Sequence, residues 1–120
     1  GLRILVGRDA AGNDRLTFAV ARGNDLWLHA RDHPGSHVVV PLSRGADPDP
    51  VTLHEAALLA AHFSGARGQG GADVEYTRRK NVRKPSRGAP GLVYVAAGRT
   101  LRVRTDDPRL APLLERREDP

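Results

Sequence analysis

The segment Leu26-Trp27-Leu28-His29-Ala30 alternates, and predicts a strand with Leu26, Leu28 and Ala30 on one face and Trp27 and His29 on the other. Pro34-Gly35 is a turn signal, because proline fixes φ and glycine tolerates the left-handed region. His37-Val38-Val39-Val40 is short, apolar and β-branched, as a central strand should be. Residues 26–41 therefore read as strand, tight turn, strand. Ser36 and His37 sit where the turn feeds the second strand, and His29 on the first can face the same spot.

The rest of the chain reads outward from that unit. Ile4-Leu5-Val6 predicts a short strand, residues 9–13 a loop, and Asp14 an N-cap. Leu16, Ala19 and Val20 have helical spacing, which suggests a short helix closing at Gly23, although Leu16-Thr17-Phe18 fits a strand equally well. A polar loop over 42–50 precedes Thr52-Leu53-His54-Glu55, which matches a capping box. The helix it opens runs to about Ser64, with Leu53, Ala56, Ala57, Ala60 and Phe63 as its core stripe and Glu55 and His62 on its polar side. Residues 65–71 are rich in glycine but leave a helix C-terminus. Phosphate loops enter a helix N-terminus, so this one reads as a connector. Val74 and Tyr76 belong to a strand that runs into the basic stretch 78–84. Residues 92–97 and 100–104 predict a hairpin around Gly98-Arg99, with Leu101 and Val103 inward and Arg102 and Arg104 outward. Leu110 to Arg117 predicts a short terminal helix. The fold class is α+β: a mixed or antiparallel sheet of about five or six strands, one principal helix packed on it, and shorter helices.

A chain of 120 residues holds one core. We place a domain at 1–105 and an acidic tail, with its short helix, at 106–120. No stretch of about eighteen apolar residues marks a membrane span and no signal-peptide pattern opens the chain. The absence of cysteine excludes disulfides, thiolate zinc sites and cysteine nucleophiles, and fits a cytoplasmic protein. A chain that does not open on methionine reads as a piece of a longer protein or a trimmed product.

Charge adds the most. The net charge is +5, but nine Arg or Lys residues and no acid lie between Tyr76 and Thr105. So one-sided a segment is the footprint of a polyanion binder, against the plainer reading of a solvated strand face. Arg78, Arg79, Lys80, Arg83 and Lys84 make its densest part, able to lay cations along a phosphate backbone. Trp27, Tyr76 and Tyr94 are the only large rings with a polar edge, too few for a platform that reads several bases, so recognition of backbone and shape fits better.

Three other chemistries compete, two of them around the turn. His29, His33 and His37, with Asp32, offer nitrogen and oxygen ligands for a hydrolytic metal, but Pro34-Gly35 destroys the helix that would align them. Ser36 needs a base, and its neighbour His37 points to the opposite face of a strand; only His29 can reach it, if register allows. Asp47 and Asp49 lie in a loop without apolar shelter and make a poor acid–base pair. The histidines are otherwise either satisfied internally or donors to phosphate, sugar or base.

Taken together, Gly7-Arg8 with Asn13-Asp14, Asp25-Leu26-Trp27-Leu28-His29, Pro34-Gly35-Ser36-His37-Val38-Val39, the alanine-rich helix, Tyr76-Thr77, Val82-Arg83-Lys84-Pro85 and Pro90-Gly91 resemble the NFACT-R domain. That domain closes the RqcH-type ribosome quality control factors, and the likeness runs from Ile4 to Val103. Asp9, Gly12 and Glu75 stand where the family more often has Asn, Gln and Asp. The resemblance implies RNA binding, with tRNA and the large ribosomal subunit as partners, in a factor that directs C-terminal tailing of stalled chains. Stand-alone versions are linked to tRNA modification. Carried over by position, the contacts would be Arg8, Asn13, His29, Ser36, His37, Arg78, Arg79, Lys80, Arg83 and Lys84. No cofactor, small-molecule substrate or catalytic residue is implied. The expectation is a non-enzymatic module, with a small hydrolase on His29, Ser36 and His37 as the alternative from another class.

Overall fold

The computed structural model describes residues 3–116. Strand β2 (Leu26–Ala30) is the middle of a five-stranded sheet with order β1-β3-β2-β4-β7, in which β1 is Leu5–Val6, β3 Val38–Val40, β4 Gly71–Arg78 and β7 Arg99–Arg104. Every pairing is antiparallel. The alternation of β2 is realised as expected. Leu26 and Leu28 face one core with Val38, Val40, Val74 and Val103, and Trp27 faces a second with Val39 and Val82.

Helix α2 (Pro50–His62) covers the first face. Ala56, Ala57, Ala60 and Ala61 are fully buried there, because a methyl side chain lets the helix backbone lie close on the sheet. Helix α3 (Leu110–Glu115) adds Leu110 and Leu113 to this core, and Arg116 joins Glu55 at 3.0 Å. The second face is covered by α1 (Ala10–Arg15), a π-helical stretch Leu16–Val20, and a two-stranded sheet of β5 (Val82–Arg83) and β6 (Tyr94–Val95). The α+β class stands, as three layers. The last predicted helical residue, Arg117, and the acids Glu118 and Asp119 lie outside the described residues.

Four local expectations are corrected. The hairpin over 92–104 does not form: β6 pairs with β5 while β7 pairs with β4. Ala96 N–H donates to the Asn81 carbonyl at 2.9 Å and Ala97 takes φ +54°, so the chain passes from the small sheet to the large one between the two predicted strands. Asp9, not Asp14, caps the first helix, its carboxylate accepting from Gly12 N–H at 2.6 Å, so residues 10–13 are helical rather than loop. Asp49, not Thr52, caps α2, accepting from Thr52 N–H at 2.8 Å, because Pro50 is pre-set for the first helical position. The left-handed residue of the 31–37 turn is Asp32, with φ +62°, rather than Gly35.

Gly35 is needed for a different reason. Ser36 N–H donates to the Phe63 carbonyl and Gly65 N–H to the Pro34 carbonyl, both at 2.9 Å, so the turn is stitched to the chain leaving α2. A Cβ on Gly35 would lie 2.6 Å from the Ser64 Cβ and 2.8 Å from its Cα. Gly35→Ala is therefore expected to cost about 1–3 kcal/mol by overpacking. A urea midpoint unchanged from the parent chain would contradict this.

Candidate nucleic-acid interface

The polar residues singled out around the turn meet in a knot on the second sheet face. The Asn13 amide oxygen accepts from the His37 backbone N–H at 3.0 Å, and its NH2 donates to the Gly35 carbonyl at 3.2 Å. The His37 ring lies between Thr17 Oγ1, 2.8 Å from Nδ1, and the Gly91 carbonyl, 3.1 Å from Nε2. A carbonyl only accepts, so Nε2 carries the proton and Nδ1 accepts from the Thr17 hydroxyl. That hydroxyl in turn accepts from the Trp27 indole N–H at 3.2 Å. The π-helical stretch widens the helix where Thr17 enters this chain of bonds. Ser36 donates to the Gly7 carbonyl at 2.6 Å. The imidazoles of His29 and His37 meet edge to face with centroids 5.6 Å apart.

A second clamp holds the loop that follows β5. The Asp14 carboxylate accepts from Gly91 N–H at 2.8 Å and pairs with Lys84. Gly91, at φ +84°, packs against Ala10, a place where a side chain would be strained. Its N–H goes to Asp14 and its carbonyl to His37, so the knot fixes where residues 84–91 run.

Burial pushes the His37 imidazole down to about 4, and the neighbouring His29 imidazole adds to the shift. His29 is lowered as well, chiefly by burial. A folded-state value below the ordinary 6.5 means that the unfolded chain takes up the proton first on acidification. Stability is then level above pH 6.5 and falls as the pH drops towards about 4, by about 3 kcal/mol for His37 alone. Urea unfolding at pH 7.5 and 5.0 measures this, and equal midpoints would contradict it. Asp14, held below its ordinary value first by Lys84, is lost only in a lower window, below pH 3.8.

Each predicted contact can now be placed. Asn13 and His37 are buried, at 6% and 1% exposure, with their polar atoms turned inward. They build the knot, with their polar atoms bonded inside the protein. The basic run does not make one continuous surface. Arg78 follows Val74 and Tyr76 onto the α2 side of the sheet and pairs with Asp47. The 3₁₀ turn Arg79–Asn81 then redirects the chain. Arg79 donates to the Thr17 carbonyl and lies 4.9 Å over the Phe18 ring, with Lys84 5.9 Å from the same ring. These two cations are largely spent on holding the second layer together.

Two open surface grooves carry basic residues. The first, about 450 Å³, is lined by Arg8, Ser36, His62, Ser64 and Arg67 together with the Pro34-Gly35 turn and Phe63. The second, about 390 Å³, is lined by Lys80, Asn81, Arg83, Tyr94, Val95 and Ala96. Among the described residues no carboxylate lines either groove. Arg67, His62 and Tyr94 line these grooves although they were not among the contacts expected from the sequence. Arg67 was hidden in a glycine-rich connector, and the alternation of Tyr94 with Val93 and Val95 was the available signal.

The turn chemistry weighed earlier is not assembled. Ser36 is bonded to a carbonyl rather than to an imidazole, and both His37 nitrogens are committed. Among the described residues no group of three or more His, Asp or Glu is placed to hold a metal. None of their helices is long and apolar enough to cross a membrane.

A buried polar knot that sets acid-free basic grooves on an α+β frame defines a module for binding polyanions. The chain belongs to the family described as "NFACT protein RNA binding domain", whose profile matches residues 1–96. It is 43% identical over 106 residues to the Rqc2 homolog RqcH of Bacillus subtilis, covering 88% of this chain and 18% of that protein. RqcH of Streptococcus suis is 44% identical over 100 residues, covering 83% of this chain and again 18% of the relative. Among solved structures, the C-terminal part of the fibronectin/fibrinogen-binding protein from Streptococcus suis aligns with TM-score 0.82 and 40% identity, over 91% of this chain and 43% of that one. The chain thus spans about a fifth of the length of the curated relatives it matches.

Proposed function

We propose that the chain is a non-enzymatic module that grips tRNA on the large ribosomal subunit, as the RNA-holding part of a ribosome-associated quality-control factor of the RqcH type. C-terminal tailing of stalled chains belongs to the whole factor, and the share assigned to this chain is to hold the RNA. The observation that carries the reading is the pair of basic, acid-free grooves flanking the knot. Arg8 and Arg67 from one and Lys80 and Arg83 from the other supply about four phosphate contacts. Arginine adds planar, bidentate hydrogen bonding to phosphate, and Ser36 and Ser64 line the first groove with hydroxyl groups suited to a sugar–phosphate backbone.

Four contacts predict a log–log salt slope of about −3 for tRNA, so affinity should fall about a hundredfold from about 50 to about 200 mM salt. Fluorescence anisotropy of labelled tRNA across that range is the test. Absence of tRNA binding at low salt, or a flat salt dependence, would overturn the proposal.

A further inference from the structure

We infer that the groove at the β5–β6 sheet is a subsite for one unpaired RNA nucleotide, its base stacked on Tyr94 and its flanking phosphates held by Lys80 and Arg83. The inference rests on the RNA-binding proposal above and names the feature of the RNA that this groove takes.

Strand geometry sets the arrangement. Val93 and Val95 pack inward against the core around Trp27, so Tyr94 between them must point outward. Val82 is buried in the same core, which turns Arg83 outward as well. Arg83 and Tyr94 are register partners across the antiparallel pair, so their side chains stand next to each other on the open face. Lys80 and Asn81 approach from the preceding 3₁₀ turn, and the small Ala96 leaves the floor of the groove open.

Tyr94 is 67% exposed, more than Val20, Val51 or Leu92, the other exposed large hydrophobic side chains among the described residues. No other ring of those residues stacks on it. An uncovered aromatic face beside two cations and no carboxylate fits a ligand that is flat and apolar in one part and anionic on either side. A nucleotide within a strand has that composition. A base-paired nucleotide keeps both its faces inside the helix stack, so a lone tyrosine reaches only an unpaired one. A single ring also suits a chain too poor in aromatics to read several bases in succession.

The test compares the 120-residue chain with its Tyr94→Phe, Tyr94→Ala and Lys80→Ala variants, on a short single-stranded RNA carrying one 2-aminopurine and on a fully paired RNA duplex. Tyr94→Ala should weaken single-strand binding about tenfold and abolish quenching of the 2-aminopurine, with duplex affinity and the salt slope unchanged. Tyr94→Phe should retain both affinity and quenching. Lys80→Ala should make the single-strand salt slope shallower by about 0.7. If Tyr94→Ala binds single strands as tightly as the parent while Lys80→Ala is weakened, the subsite is overturned and the RNA-binding proposal survives. If Tyr94→Ala keeps its RNA affinity but loses binding to large ribosomal subunits, the tyrosine belongs to a protein contact and the subsite is again overturned. If the parent chain binds tRNA but not the single strand, the subsite is overturned and the RNA-binding proposal survives; if it binds no tRNA either, both fail.

Discussion

His37→Ala is expected to lower the unfolding free energy by about 3–5 kcal/mol at neutral pH. The ring is 1% exposed and lies edge-on to Trp27 with centroids 5.2 Å apart, so its removal leaves a cavity in the second core. The Gly91 carbonyl loses its partner, and the Thr17 hydroxyl loses the acceptor of its proton while still accepting from the Trp27 indole N–H. An orphaned buried group costs about 1–3 kcal/mol, and the lost packing adds to that. The loop over 84–91 is left hanging from Asp14 alone, so amide exchange there should accelerate before the sheet opens. Urea unfolding followed by Trp27 fluorescence measures the loss, and a cost below about 1 kcal/mol would show that the knot contributes little.

Lys80→Glu combined with Arg83→Glu should do the reverse. Both side chains are exposed and neither is ion-paired among the described residues, so stability should move by less than about 0.5 kcal/mol. Affinity for tRNA at low salt should fall about a hundredfold, with the salt slope shallower by about 1.5, because two phosphate contacts become two repulsions. Arg78→Glu is the matching control. Its guanidinium bonds the Asn24 carbonyl and Asp47 on the α2 side of the sheet, so tRNA affinity should change by no more than about twofold. Equal losses from Arg78→Glu and from the double variant would return the whole run to a single binding surface.

The contrast between these variants marks how far the sequence could be read. β2 and α2 were legible because a period of two and a run of alanines each leave one consistent way to bury apolar surface. Their ends were less so. Asp49 and Thr52 are both good caps, and the choice fell to Pro50, which starts the helix earlier than Thr52 suggests. The strands at 94–95 and 99–104 were detectable, but alternation does not reveal a strand's partner, and nothing marks Ala97 as the left-handed residue that sends the chain to another sheet. Asn13 and His37 stand out in the sequence, which does not tell a residue that builds a knot from one that binds a ligand. An amide or imidazole that satisfies a neighbouring loop uses the same donors and acceptors as one that binds a phosphate, and only burial separates the two. The basic run was visible as composition. Its division between two sheet faces depends on one short 3₁₀ turn at Arg79–Asn81, which charge counting does not detect.

Asp9 caps α1 by accepting from the Gly12 N–H, which opens the helix one turn before Asn13 and leaves Asn13 on its buried side.

The most direct test measures unfolding free energy and tRNA affinity together on His37→Ala and on the Lys80→Glu/Arg83→Glu pair, with an osmolyte added so that the first stays folded. The knot-and-groove account predicts that His37→Ala loses stability while its folded form keeps tRNA affinity within about threefold, and that the double variant keeps its stability and loses the tRNA. A folded His37→Ala chain that no longer binds tRNA, beside a double variant that still does, would place the RNA on the imidazole and contradict the account.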